Sequence, residues 1–263
     1  MQERHLDREQ YFKEQGLSTG KHIVPYIQQF MTLGPETRMA EIGCGEGGNL
    51  RPFLDLGCQV TGIELSERKI GLSRGYYAGH PNVKNLEFIN KNLFHVELDE
   101  RLKFDLIFMR DTLEHIEDHE ELMVRLRKLL RPGGRVFLAF PPWRMPFGGH
   151  QQLCQSKFLS KLPYFHLLPN PLYVAVLKVF GEPQIKVDEM LEIKSTRISL
   201  GRFFRLLRRH NFEIENEIKW LVNPNYEIKF GMKPRKLPVW MNIPWIRDFY
   251  ITTYYCLIRP VKE

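Results

Sequence analysis

Five short apolar segments set the frame for this chain. Residues 38–42 (RMAEI), 59–65 (QVTGIEL), 85–90 (NLEFIN), 104–109 (FDLIFM) and 135–140 (RVFLAF) each read as a β-strand, with strand-type apolar content and no proline. Helical stretches separate several of them. Residues 49–56 start one helix, and Ser66 is placed to cap a second that runs to Tyr77. Residues 118–130 carry Leu122, Leu126, Leu129 and Leu130 at helical spacing and stop at Arg131-Pro132-Gly133-Gly134. Strands alternating with helices pair in parallel through right-handed crossovers. Such a sheet binds ligands at the carboxyl ends of its strands. The loops after residues 42, 65, 90, 109 and 140 are therefore expected to converge on one site.

The flanks behave differently. Residues 17–33 read as a helix that Gly34-Pro35 stops. After Pro141 about 55 residues rich in proline, aromatics and histidine show no strand pattern. Residues 196–210 form an amphipathic helix, with Phe203, Phe204, Leu206 and Leu207 opposed to Arg202, Arg205, Arg208 and Arg209. Residues 212–221 and 249–258 read as two last strands. The connection between them holds Pro224, Pro234, Pro238 and Pro244.

At 263 residues and 43% hydrophobic, the chain can bury a substantial core. No run of about 18 apolar residues is present, so no transmembrane helix is expected. The charged start, MQERHLDREQ, predicts no signal peptide. Cys44, Cys58, Cys154 and Cys256 form no C-x-x-C pair, which argues against zinc and fits a reducing cytoplasm. Charge is uneven. Residues 1–140 carry 19 Lys and Arg against 21 Asp and Glu, and residues 141–263 carry 19 against 10, a net of +9. The C-terminal half is thus suited to an anionic metabolite, a membrane surface or a nucleic acid, unless its cations only solvate helices.

The segment EIGCGEGGN at 41–49 is the most informative. Gly43 and Gly45 let backbone approach a ligand at a helix N-terminus. Gly43, Gly45 and Gly48 also satisfy the dinucleotide pattern G-x-G-x-x-G, so nicotinamide binding stays open on this evidence alone. Glu64 ends the second strand, where a carboxylate can accept both ribose hydroxyls of an adenosine. Glu41, two residues before Gly43, would oppose a pyrophosphate and suit a cationic ligand.

This segment resembles the first motif, E/D-x-G-x-G-x-G, of the class I S-adenosylmethionine (SAM)-dependent methyltransferases. GIELS and LLRPGGRVFLAFPP are similar to further motifs of that family, and FDLIFMRDTLEHI resembles the fourth strand and following helix of its small-molecule branch, which includes quinone-biosynthesis methyltransferases, so that the resemblance covers residues 37–142. The resemblance implies an α/β, Rossmann-like sheet of seven mostly parallel strands with helices on both faces and an insertion after the fifth strand. Residues 1–36 would be a helical segment covering the cofactor site, 37–142 the SAM-binding core, 143–195 an acceptor-binding lid, and 196–263 the last helix and strands. It further implies that Glu41 contacts the methionine end of SAM, Gly43, Cys44 and Gly45 line the cofactor, Glu64 binds the ribose and Leu65 packs on the adenine. Asn92 stands where the family usually has an adenine-binding Asp, with Leu93 beside it, and Arg110 lines the methionine side.

Methyl transfer needs alignment in a dry pocket and, for a hydroxyl acceptor, a base. His150, in the PFGGHQQ stretch, is the first candidate, because Gly148 and Gly149 give that loop latitude. His115 and Asp111 follow the fourth strand, and His166 is placed either to line the acceptor pocket or to pack. Phe140-Pro141-Pro142-Trp143 is not an amino-methyltransferase motif, since it follows the wrong strand and begins with Phe. His115 and His119 lack the H-E-x-x-H order, so no metal is expected. The expected reaction carries a methyl from SAM to an oxygen, or less readily a nitrogen or carbon, of a small or lipid-like metabolite, with peripheral contact at the inner membrane face as a further expectation. RNA methylation, a non-catalytic SAM-binding partner and a dehydrogenase are the alternatives. No RNA-binding module or long Lys/Arg run favours nucleic acid.

Overall fold

The computed structural model describes residues 7–261. The first six residues of the expected N-terminal segment lie outside that range. The strands are β1 Arg38–Ile42, β2 Gln59–Ile63, β3 Leu86–Ile89, β4 Phe104–Arg110, β5 Leu130–Phe140, β6 Phe212–Val222, β7 Arg235–Lys236 and β8 Thr253–Pro260. They form one sheet in the order β3-β2-β1-β4-β5-β8-β6-β7. The first five pair in parallel, and β8, β6 and β7 add antiparallel neighbours. Seven strands were expected. The eighth is β7, two residues inside the proline-rich connection, too short to carry a periodic signal. The order reverses between β1 and β4, which opens a crevice at their carboxyl ends.

Alternation along the strands divides the core in two. Ile107 and Met109 of β4, with Val136, Leu138 and Phe140 of β5, point to one face. Leu106 and Phe108, with Phe137 and Ala139, point to the other. The first face is covered by α5 (His119–Leu129) and α8 (Leu200–Arg209), through Leu122, Leu126, Phe203 and Leu207. The second is covered by α1 (Arg8–Ser18), α2 (Val24–Ile27) and α3 (Arg51–Asp55), with Tyr77 from α4 (Glu67–Tyr77). Each buried Leu or Phe contributes about 1.5–3 kcal/mol, which makes both faces necessary to the fold.

Three boundaries differ from expectation. The N-terminal helix starts at Arg8, where the Asp7 side chain accepts from Gln10 N at 2.9 Å, and passes through a π-helical turn, Thr19–Ile23, before ending at Ile27. The expected stop at 131–134 is instead taken into β5, with a register shift opposite Phe104 and Leu106. The helix expected over 196–210 is broken near its start. Thr196 ends α7 (Gln184–Thr196), Arg197 is left-handed at φ 43°, and Ser199 caps α8. With α6 (Asn170–Val179), α7 gives the insertion its own small core around Cys154, Tyr173, Leu177 and Met190. No helix of the described residues is long and apolar enough to cross a membrane.

Candidate active site

A cavity of about 730 Å³ opens at the carboxyl ends of β1, β2 and β4. Its floor is the glycine turn. Gly43 and Cys44 N–H groups both donate to Ile63 O, at 2.8 and 3.3 Å, which ties the turn to β2. Gly43 has φ +73°, and a Cβ there would lie 2.6 Å from Thr112 Cγ2. Gly45 has φ +57° with open space above it. Glycine is thus required at one position by contact and at both by backbone conformation.

Glu64 organises the rim. Its Oε2 accepts from Gly45 N and its Oε1 from Ser66 N, each at 2.9 Å, so one carboxylate holds both loops. Each oxygen keeps a second lone-pair direction for a ligand hydroxyl. Leu65 is exposed at the rim, Leu93 is buried in the wall, and Asn92 Oδ1 accepts from Phe94 N at 3.0 Å. Cys44 lines the floor, with its thiol pushed well up by burial.

Arg110 brings a buried cation to the same cavity. It donates to Thr19 Oγ1 at 3.0 Å, to Asn49 Oδ1 at 3.1 Å and to Ser18 Oγ at 3.2 Å, which fastens the N-terminal helix to the end of β4. Asn49 in turn donates to Glu41 Oε1 at 2.7 Å. Glu41 itself is fully buried behind the cavity lining, and its Oε2 has no hydrogen-bond partner among the described residues. The direct ligand contact expected for it is therefore replaced by a relay through Asn49 to Arg110. Burial outweighs Asn49 and Arg110 and pushes its carboxyl up to about 8. The other eight residues expected at the cofactor all line the cavity.

The sign of this shift has a measurable effect. Between the ordinary value of 4.5 and about 8, folded Glu41 holds a proton that the unfolded chain has released. Its contribution is complete at low pH and is lost as pH rises through that window. Glu41→Gln keeps an acceptor for Asn49 but cannot ionise. The variant's melting temperature should therefore decline less than the parent's from about pH 5 to 8. Parallel profiles would refute the assignment.

Among the lining residues that the sequence did not flag are Arg8, Tyr11 and Gln15, one face of α1. The spacing Asp7 to Gln10 is a helix-start signal that could have revealed them. Burial pushes the Tyr11 hydroxyl up to about 12.

The proposed bases separate. Asp111 and His115 line the cavity. Asp111 is left-handed at φ 52°, at the end of β4. His115 is held low by burial and is uncharged at neutral pH. His150 does not line the cavity. It stands behind His115, ring centroids 5.0 Å apart, with Nε2 4.0 Å from Glu114 Oε1. Burial, helped by His115 and His166, pushes it down to about 3, far from the range that suits a base near neutrality. The latitude expected from Gly148 and Gly149 has a different cause. A Cβ would meet Trp143 O at 2.2 Å and His166 Cβ at 2.3 Å, so both glycines serve close packing. His166 is buried with its nitrogens on Gln151 and Trp143 O, and His119 bonds Leu113 O at 3.0 Å.

Glu114, His115 and His150 each offer a ligand atom, and these atoms lie within 4.8 Å of one another. Both Glu114 oxygens are buried without a hydrogen-bond partner among the described residues, and burial pushes the carboxyl well up. The expectation of no metal rested on His115 and His119. The fold pairs His115 with Glu114 and His150 instead, and such a trio can hold a divalent cation once Glu114 has lost its proton.

A family profile described as a methyltransferase domain matches residues 20–162, just over half of the chain. The chain belongs to the methyltransferase-domain family. Among curated relatives of this methyltransferase domain is a ubiquinone biosynthesis O-methyltransferase of Rhodopseudomonas palustris, 32% identical over 102 residues, 39% of each chain. Another is phosphoethanolamine N-methyltransferase 2 of Caenorhabditis elegans, 33% identical over 113 residues, 43% of this chain and 25% of that one. The match thus spans well under half the length of these relatives. Among solved structures, geranyl diphosphate C-methyltransferase from Streptomyces coelicolor aligns over 93% of this chain and 80% of its own, with a TM-score of 0.58 and 13% identity. The glycopeptide N-methyltransferase MtfA aligns over 93% of this chain and 87% of its own, with a TM-score of 0.55 and 16% identity. At such identities these two structures establish a shared fold.

Proposed function

We propose that this chain moves a methyl group from SAM to an oxygen of a small or lipid-like metabolite. The observation that carries the reading is the Glu64 carboxylate, fixed by two backbone N–H groups at the rim of a cavity floored by the glycine turn. A rigid acceptor pair there suits the two hydroxyls of a ribose, and a floor of Gly43, Cys44 and Gly45 suits close approach of a nucleoside. Arg110 and Asp111, with Nε and Oδ2 3.6 Å apart, give the deeper wall one charge of each sign. That arrangement suits an amino-acid tail, its carboxylate toward Arg110 and its ammonium toward Asp111. The bound donor would supply an electrophilic methyl on a sulfonium. With Asp111 engaged by that ammonium and by Arg110, the neutral imidazole of His115 would take the proton that the acceptor hydroxyl loses as the carbon–oxygen bond forms and the carbon–sulfur bond breaks.

An oxygen acceptor is favoured by the ubiquinone-pathway relative. The RNA alternative is weakened because some of the C-terminal cations are engaged internally, Arg209 with Glu120 and Arg259 with Glu213. A second reading is metal assistance, favoured by the buried Glu114 oxygens, which have no hydrogen-bond partner among the described residues, close to ligand atoms of His115 and His150. A cation there would orient the acceptor oxygen and lower its pKa.

Incubating the protein with methyl-labelled SAM and a fractionated lipid extract tests both readings. Label is expected in an ether-type product. His115→Ala should cut turnover by roughly 10²-fold or more, the scale of general-base loss, with SAM affinity nearly unchanged. Loss of turnover on chelation, restored by a divalent cation, would select the metal reading. SAM bound tightly with no label transferred to any fraction would leave the non-catalytic role.

A further inference from the structure

We propose that residues 232–247 form an interfacial anchor that seats the protein on an anionic lipid bilayer. This segment presents Val239, Trp240, Ile243, Trp245 and Ile246 to solvent, and both tryptophans are more than three-quarters exposed. Large apolar side chains so exposed and so close in sequence mark an interaction surface. The same stretch contains Lys233, Arg235, Lys236 and Arg247 and no acidic residue. Lys233, Arg235 and Lys236 make no ion pair with an acidic side chain among the described residues.

The segment is held in place rather than free. Arg235 and Lys236 pair with β6, and Leu237 N donates to Lys219 O at 2.8 Å. At the far end, Asp248 is buried and its Oδ2 accepts from Leu200 N at 3.0 Å. A 3₁₀ turn, Val239–Met241, lies between these pins and a second, Arg247–Phe249, carries Asp248, with Pro238 and Pro244 stiffening the path. Trp245 sits at φ 66°, a costly conformation for a bulky residue, yet its ring remains in solvent. The fold thus spends strain on displaying an indole that does not enter its core.

Charge and residue type together choose the occupant. Tryptophan prefers the headgroup level of a bilayer, and nearby Lys and Arg are drawn to anionic headgroups. A second copy docked symmetrically on this face would set its cations against the same cations. The anchor also adjoins the segment after β5. Tyr164 Oη donates to Phe249 O at 2.9 Å, and the Arg144 guanidinium lies 5.7 Å from the Phe249 ring. Seating the anchor would therefore hold the insertion, which carries His150, near the lipid surface.

The inference needs no catalysis, so its test is separate from that of the methyl-transfer reading. The full chain is mixed, without SAM, with vesicles of phosphatidylglycerol or of phosphatidylcholine alone, and binding is read by flotation and tryptophan fluorescence. Of the four tryptophans, Trp143 and Trp220 are buried, so a blue shift reports Trp240 and Trp245. Binding to phosphatidylglycerol with a blue shift is expected, weakened by salt. Trp240→Ala with Trp245→Ala, and separately Lys233→Glu with Lys236→Glu, should each weaken it by at least about tenfold with unchanged melting temperature. Failure to float, equal affinity for both vesicles, or indifference to either pair of substitutions would overturn the proposal. So would a dimer in solution that Trp240→Ala dissolves, because a second copy would then be the occupant.

Discussion

Gly48→Ala should loosen the N-terminal helix from the sheet and abolish most cofactor affinity. A Cβ at this position would lie 2.4 Å from the Phe12 carbonyl oxygen and 2.8 Å from the Gln15 side chain. The first of these neighbours is helix backbone, which cannot rotate away. The methyl must therefore push α1 off the glycine turn, and with it Arg8, Tyr11 and Gln15, which line the cavity. Overpacking of this kind costs about 1–3 kcal/mol in stability. The loss at the cavity should be larger, because one wall recedes and the bonds from Arg110 to Ser18 and Thr19 lengthen with it. Gly45→Ala supplies the contrast. No described residue comes within 4 Å of its Cβ, so only the left-handed backbone at φ +57° resists, at about 1–2 kcal/mol. Melting curves and calorimetry with SAM should show Gly48→Ala losing binding out of proportion to its stability. Equal losses in both quantities, or none, would mean that α1 does not form part of the binding wall.

The contrast between those glycines also shows what the sequence could and could not convey. Gly43 and Gly45 were legible because a turn at the end of a strand has few chemical solutions. Gly48 looked like one more glycine of the same motif, but its reason lies in Phe12, a contact across 36 positions that no local pattern encodes. β1 to β5 were readable because apolar runs ended by turn residues are local signals. Glu64 was readable for the same reason, as the acid that closes such a run. Glu41 was read as a charge facing the ligand. Whether it faces the cavity depends on Asn49 and Arg110 folding over it, and the fold buries it instead. Glu114 carried no signal in the sequence, because no local spacing ties it to His150. It becomes chemically interesting only when residues 148–150, packed against Trp143 and His166, bring His150 to it.

Glu64→Ala is the second substitution expected to act strongly, and for a reason that separates it from an ordinary ligand contact. Its two oxygens bond Gly45 N and Ser66 N, so the carboxylate is both the candidate ribose acceptor and the clasp that sets the distance between two loops. Hydrogen bonds to a charged group are each worth about 1.5–3 kcal/mol. Removing the clasp leaves two backbone donors to water and the ribose hydroxyls without acceptors. A loss of about 1–3 kcal/mol in SAM binding, roughly 5- to 150-fold in Kd, is expected. Glu64→Gln refines the test. Its amide keeps one acceptor oxygen but turns an NH₂ toward the other backbone N–H, donor against donor. It should therefore resemble alanine more than the parent, although it is nearly the same size. If glutamine binds SAM like the parent, the negative charge and the second acceptor are dispensable. If alanine does so as well, the ribose is held elsewhere and the cofactor must lie across the cavity in another orientation.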